Sequence, residues 1–589
     1  MSLISNLKQS TANCIHSLYG INIAPEQVLV NATKPEFEGD YTIVLFAFVK
    51  QLGKSPEVLG NELGNAMLAA MPGTITNFNI VKGFLNFTIS NQFWFDYIKN
   101  LSPENLLPKI ESPRKIMVEY SSPNTNKPLH LGHLRNNFLG WSIAEILKLQ
   151  GNDVVKTCIV NDRGIHICKS MIAWQLFANG ATPADTNQKG DHFVGDYYVK
   201  FNDAYKAQVA ELVAGGMTQE LAEKEAPIQK GAQEMLLKWE QGDAATIDLW
   251  KRMNSWVYAG FDTTYKKIGS DFAKTYFESN TYLLGKELVD QGLAKKVFYQ
   301  KEDSSVWIDL TGDGLDEKIV RRKDGTSVYI TQDIGLAEMK QKEFNTDASI
   351  YVVGDEQNYH FKVLKLICQK LQLPASDGIY HLSYGMVELP TGKMKSREGT
   401  VVDADDLVDE MINISKEKTE SLGKVSEFTQ EQLTELYNTI GLGALKFFLL
   451  RVDPKKKMIF NPEESIDFHG FTGPFIQYTH ARIKSILRKT GTQITLTNSE
   501  LLPLEKALAI ELSNFPAVIN EAAETLDPSK VAIYTFNLAK LFNTFYAEHS
   551  INNADTEEKK QLRIQLGILT AATLQKGMQA LGIAVPEQM

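Results

Sequence analysis

The segment Pro123 to Arg135, P-N-T-N-K-P-L-H-L-G-H-L-R, concentrates groups suited to an anion. His130 and His133 bracket Gly132, and Lys127 lies three residues before the first histidine. The run before the segment, KIMVEY (Lys115 to Tyr120), reads as a strand, and the apolar run after it, Phe138 to Leu149, reads as a helix. A helix N-terminus offers unpaired backbone N–H groups and a positive dipole end, which suits a phosphate. Gly132 lets the backbone come close, and the imidazoles can donate to a polyphosphate as charge develops. Taken alone, the same residues also fit a loop with two satisfied histidines.

A second concentration runs from Gly392 to Val402, G-K-M-K-S-R-E-G-T-V-V, after a predicted strand, HLSYGMVELP. Lys393, Lys395 and Arg397 share one loop, with Gly392 and Gly399 as hinges. A basic loop that closes on a triphosphate stabilises the departing pyrophosphate by charge, with no covalent chemistry. A solvated loop is the plain alternative, and the pairing with HLGH argues against it. Two carboxylates stand out as well. Glu119 ends the first strand, and Asp333 lies four residues after Tyr329, so on a helix those two share a face.

These groups need a scaffold. KIMVEY, DVVKTCIV, ASIYVVG and IYHLSYGMV are near-continuous apolar runs that end in polar residues. Buried parallel strands read that way, with function at their carboxyl ends. The expected architecture is α/β, a Rossmann-like parallel sheet spanning residues 106–440, with a mostly helical insertion around 189–300. Residues 1–105 read as a separate α+β domain, joined by the Pro-rich linker Ser102 to Pro113. Residues 441–589 read as an all-α helical bundle, from apolar spacing at i, i+3 and i+4.

The chain has 589 residues, enough for about three to five domains. No apolar run reaches the ~18 residues of a membrane span, so no membrane partner is expected. The N-terminus shows no signal-peptide pattern. Cys14, Cys158, Cys168 and Cys368 have no CxxC spacing and no zinc-like partners, so buried, reduced thiols of a cytoplasmic protein are expected. The net charge of -10 argues against binding nucleic acid over the whole surface. It leaves room for a local basic face, and Arg482, Lys484, Arg488 and Lys489 cluster between Thr479 and Thr490, where a solvated helix face is the alternative.

The pair HLGH and KMKSR resembles the HIGH and KMSKS signatures of class I aminoacyl-tRNA synthetases. VEYSSPNTNKPLHLGHLR, DHFVGDYYVKF, TYFES, DGTSVYITQDI, GDEQNYHF and TGPFIQYTHARI together resemble arginyl-tRNA synthetases over essentially the whole chain. That resemblance implies an arginine–tRNA ligase using ATP with Mg²⁺, L-arginine and tRNA(Arg), and a monomer. It implies in-line attack of the arginine carboxylate on ATP, then transfer to the terminal ribose 2′-hydroxyl, with tRNA needed for efficient activation. No protein metal ligands are implied. A guanidinium suits planar carboxylate partners. The family roles fall on Glu119, Tyr329 and Asp333 for the guanidinium, and on Ser122, Asn124 and Gln357 for the α-amino and carboxylate ends. His130, Gly132, His133, Met386, Met394, Lys395 and Ser396 fall to ATP, with His130, His133, Lys127 and Lys393 catalytic.

The basic loop departs from the signature. Ser396 occupies the place of its second lysine, and Lys127 or, as a rival, Lys395 would replace that charge. A second departure is Arg163 in N-D-R-G, where many relatives carry tryptophan, which puts nearby ATP or 3′-end contacts in question. In the C-terminal region Tyr478 and Arg482 lie at i and i+4, with Phe475 one turn earlier. An aromatic beside an arginine can stack a base and hold phosphate, whereas Phe475 reads as core. The resemblance adds Tyr546 and Met589 at the anticodon, and gives the first domain to the tRNA elbow. One alternative is another HxGH nucleotidyltransferase, which the long helical C-terminal region disfavours. Another is a non-catalytic RNA-binding relative, which the intact histidines and basic loop disfavour.

Overall fold

A computed structural model describes residues 3–34, 36–388, 390, 402–421, 428–491, 494–497 and 499–589. Its centre is a five-stranded parallel sheet in the order Ile379–Tyr384, Ala348–Gly354, Lys115–Glu119, Asp153–Val160, Lys274–Phe277. The first strand in sequence thus sits in the middle, and the chain winds outward from it both ways. Loops leaving the carboxyl ends diverge at that switch point, between Lys115–Glu119 and Ala348–Gly354, and open a crevice there.

The four expected strands are present. The fifth was hidden inside the stretch expected to be a helical insertion around 189–300. The insertion helices Gly190–Ala214, Pro227–Glu240 and Ala244–Ile268 end earlier, and Lys274–Phe277 pairs with Thr157 to Val160 as the sheet edge. Four residues at an edge carry too short a pattern to be told from a loop. A small antiparallel sheet, Tyr299–Gln300, Val306–Ile308 and Lys318–Arg321, follows.

Residues 3–100 form an α+β unit. Its antiparallel sheet runs Val30–Ala32, Tyr41–Val44, Phe84–Ile89, Ile75–Val81. The helix Pro56–Ala70 lies so close to this sheet that a Cβ on Gly64 would come 2.4 Å from the Phe78 ring. Beyond the catalytic sheet the chain is helical: Ala404–Ser421, Gln430–Leu450, Gly473–Thr490, Pro503–Thr525, Ser529–Glu548 and Glu557–Ala580. The helix Gln430–Leu450 runs through the expected boundary at 440/441. The first unit docks on the bundle through Lys506, which pairs with Asp40 at 2.7 Å and donates to the Ile89 carbonyl. Among the described residues, no helix is long and apolar enough to cross a membrane. All four cysteines are buried and free.

Candidate active site

The helix Leu131–Gln150 carries the HLGH turn at its N-terminus, and His130 is its capping residue. Its backbone is extended, so its ring folds back and Nδ1 accepts from the Gly132 N–H at 3.1 Å. His133 Nδ1 in turn accepts from the His130 N–H at 3.1 Å. Two of the N–H groups that a helix start leaves unpaired are thereby satisfied by imidazoles. The rings lie 3.9 Å apart, centroid to centroid. Burial, with Lys127 adding to it against Asp403, lowers the His130 pKa to about 4. Burial and the neighbouring His130 and Lys127 push His133 down as well. Both rings are therefore neutral at pH 7. Since each Nδ1 accepts, each proton sits on Nε2. The turn thus presents two N–H donors, which can stabilise a developing phosphate charge.

The turn is held from below. Gly140, two helical turns on, packs where a Cβ would meet the Tyr120 side chain at 2.3 Å. Arg135 is buried, and its guanidinium donates to four main-chain carbonyls: Gly385, Met386, Pro454 and Lys456. Burial lowers its pKa to about 10. Asn136 accepts from Ser121 N at 2.6 Å and donates to Val352 O at 2.7 Å, bridging the two strands at the switch point. Ser121 adopts a left-handed φ of 60°, strained for serine. Its hydroxyl bonds Tyr265 and its carbonyl accepts from Cys158, so three elements fix the bend that carries Ser122 and Asn124 out of the strand.

The expected site residues divide in three. Glu119, Ser122, Asn124, Lys127, His130, Gly132, His133 and Gln357 gather at the carboxyl ends of the two switch-point strands. Lys127 and His130 line one cleft of about 170 Å³ with Pro128, His192, Asp196 and Asp403. Tyr329 and Asp333 share the helix Tyr329–Phe344, as their spacing predicts, and Tyr329 is 73% exposed. Met386 is exposed just beyond the last strand, where its carbonyl receives Arg135. Lys393, Met394, Lys395 and Ser396 lie outside the described residues.

The two carboxylates are not alike. Glu119 is buried and forms an ion pair with the buried Lys340. Asp333 is half-exposed, and its carboxylate lies 2.6 Å from His360 Nε2. Lys340 and Asp333 are seven residues apart on one helix, so both carboxylates border the same helix face. Lys340, His360, Ser121, Arg135 and Asn136 are missing from the sequence-derived site. His360, Ser121 and Arg135 sit inside the words singled out above and Asn136 directly follows one, whereas Lys340 carries no local signal. The N-D-R-G departure also resolves. Asp162 is buried and accepts from Tyr258, Ser279 Oγ and Ser279 N, while Arg163 lies over the Tyr282 and Trp239 rings. This word anchors the helical insertion to the sheet.

In the bundle, Tyr478, Arg482, Tyr546 and Met589 line a single open cleft with Arg488 and Lys489. The Arg482 guanidinium lies over the Tyr478 ring at 5.0 Å and donates to Asn543 at 3.1 Å. An adjoining apolar cavity of about 350 Å³ is lined by Phe428, Phe475, Tyr478 and Met589. Phe475 packs on Phe536 at 5.1 Å, as a core residue does. Lys484 and Arg488 of the basic run are tied to Glu587.

Residues 98–461 match the model for the catalytic domain of class I (R) tRNA synthetases, which covers more than half of the chain. The chain belongs to the arginyl-tRNA synthetase family. Residues 5–89 match the arginyl-tRNA synthetase N-terminal domain, and 476–589 the DALR anticodon-binding domain. The arginine–tRNA ligases of Bacteroides thetaiotaomicron and Flavobacterium psychrophilum are 50% and 51% identical, over 100% of both chains in each case. The fold matches arginyl-tRNA synthetase of Thermus thermophilus with a TM-score of 0.83 at 24% identity, covering 100% of both chains. That of Plasmodium falciparum matches with a TM-score of 0.79 at 17% identity, over 100% of this chain and 99% of the other. Arginyl-tRNA synthetase family membership thus extends to all three parts of the molecule.

Proposed function

We propose that the chain activates L-arginine with ATP and transfers it to the 3′-terminal adenosine of tRNA(Arg). The observation that carries this reading is the HLGH turn: two imidazoles whose Nδ1 atoms are taken up by backbone N–H groups, leaving Nε2 as the N–H donor, at a helix N-terminus beside Lys127. No side-chain nucleophile is needed, because the arginine carboxylate attacks the α-phosphate itself. The protein contributes alignment and charge stabilisation. His130 and His133 donate to phosphate oxygens, and Lys127 supplies the cation that the Lys393 loop lacks at Ser396. Mg²⁺ would enter on the triphosphate, with the Asp196 carboxylate on that cleft wall near its water shell.

For arginine, Asp333 and Tyr329 would bind the guanidinium, with Glu119 behind them and already neutralised by Lys340. Ser122, Asn124 and Gln357 would hold the α-amino and carboxylate ends. Lysine would leave acceptors unpaired in a site shaped for a fork. Tyr478, Arg482, Tyr546 and Met589 would receive unpaired anticodon bases, and the first unit would reach the tRNA elbow. ATP–pyrophosphate exchange with arginine, with and without tRNA, tests the reaction. Exchange in neither condition would mark a non-catalytic RNA-binding relative. Single-turnover adenylate formation by Lys127→Ala and Lys395→Ala tests the replacement lysine. The larger loss is expected for Lys127→Ala, and equal small losses would refute it.

A further inference from the structure

Apart from Asp196, the word D-H-F-V-G-D-Y-Y, at the start of the insertion helix Gly190–Ala214, has no role in the reading above, yet it lies against the ATP cleft. Its Lys189 Nζ reaches Asp405 Oδ2 at 2.5 Å, Thr264 Oγ1 at 2.6 Å and Asp191 Oδ2 at 3.0 Å. His192 Nε2 lies 3.2 Å from Asp403 and 3.4 Å from Asp405. The two carboxylates beside it, Asp403 first, outweigh its burial and raise the His192 pKa to about 10. Burial pushes the Asp405 carboxyl up, but the bonds from His192 and Lys189 outweigh it and hold it below its usual range.

Asp191, His192 and Asp405 have the spacing of a cation site. Two features argue against a metal. The Lys189 ammonium already sits between the carboxylates, and a protonated imidazole cannot ligate. The remaining Asp191 oxygen faces Gly260, where a Cβ would lie 2.3 Å away, rather than the centre of the cluster.

What the cluster holds is more informative. Val402 to Ala404 pairs with the HLGH turn: Leu131 N donates to Val402 O at 3.2 Å, and Ala404 N donates to Leu129 O at 3.0 Å. Asp403 also caps the helix that follows, accepting from Asp405 N at 2.8 Å. The turn bearing His130 therefore has one side wall, and the side chains of that wall are gripped by Lys189 and His192. Residues 402–405 also follow the Lys393–Arg397 run in sequence, with four residues between.

We propose that Lys189 and His192 are positioning residues for adenylate formation, clamping Asp403 and Asp405 so that their backbone seats His130 against the phosphates of ATP. The proposal rests on the ATP-site reading of the HLGH turn. A reacting group displaced by about an ångström costs on the order of 100-fold in rate. Loss of the clamp should therefore appear in kcat, not in arginine binding.

The test is single-turnover adenylate formation by the full-length protein with ATP, arginine and tRNA(Arg). Lys189→Met and His192→Gln are expected to lower the rate by roughly 10- to 100-fold with the arginine KM unchanged. Lys189→Arg, which keeps a cation between the carboxylates, is expected to restore most of the rate. Normal rates in Lys189→Met and His192→Gln overturn the proposal. So does failure of Lys189→Arg to rescue, or a fall in rate that only tracks the folded fraction measured by circular dichroism. If Lys189→Met does not fold, His192→Gln with its unchanged arginine KM decides alone. His130→Ala separates the two readings. Normal activity there refutes the ATP site itself, whereas an inactive His130→Ala beside normal clamp variants refutes only the clamp.

Discussion

The carboxyl end of the parallel sheet and the cleft of the helical bundle are built on opposite plans. At the sheet, the side chains that matter are fixed by others that touch no ligand. Arg135 satisfies four carbonyls, Asn136 bridges two strands, and Ser121 pays for its backbone strain with bonds to three elements. In the bundle, Tyr478 and Arg482 are brought together by helical spacing, with a bond from Arg482 to Asn543, and they line an open cleft beside an apolar cavity. Chemistry on a phosphate, the role proposed for the sheet end, tolerates little displacement, which fits an over-determined site. Stacking an RNA base, the role proposed for the bundle cleft, needs only a flat surface and a nearby cation.

Substitutions should expose this difference, from the largest effect to the smallest. Asp333→Ala should lower arginine activation by about 10³-fold or more, since it strips a charged partner from a guanidinium site. ATP should still protect that variant in thermal unfolding. His133→Ala should lower kcat by about 10²- to 10³-fold, as for loss of one preorganised donor, and it should also loosen the helix start by freeing the His130 N–H. Tyr478→Ala should raise the KM for tRNA by roughly 5- to 150-fold, the worth of one stacked base, and leave activation at saturating tRNA unchanged. If Tyr478→Ala instead abolished activation at saturating tRNA, the two plans would not be separable.

The smallest effect concerns pH. The folded His130 binds its proton less readily than its ordinary pKa of 6.5 would allow, down to about 4. Between those values the unfolded chain takes up a proton that the folded chain does not. Acidification from pH 6.5 towards 4 should therefore lower the unfolding midpoint, and the fall should be shallower in His130→Gln. An equal slope in both proteins would show that the ring is not desolvated when folded.

The same contrast explains what the sequence revealed. Tyr478 with Arg482, and Tyr329 with Asp333, were legible because i and i+4 on a helix is a local rule. HLGH was legible because a strand, a glycine turn and a helix adjoin in the chain. Lys340 was not, because it meets Glu119 across 221 residues. His360 on Asp333, and Lys189 on Asp405, are likewise pairings that only the folded sheet makes. Lys274–Phe277 was missed because four residues at a sheet edge give too little periodicity. The family words located most of the site, but they did not say which of their residues hold and which are held.

Arg135 has a consequence for how the molecule is made. Its four acceptors come from residues 385–386 and 454–456, up to 321 residues later in the chain. A growing polypeptide that has released only the first half of its catalytic sheet carries the HLGH word complete, but with a guanidinium that has nothing to bury against. The HLGH turn therefore cannot acquire its final seat until the helix Gln430–Leu450 and the residues just after it have left the ribosome. A truncated translation product would contain every letter of the motif without the carbonyls that seat it.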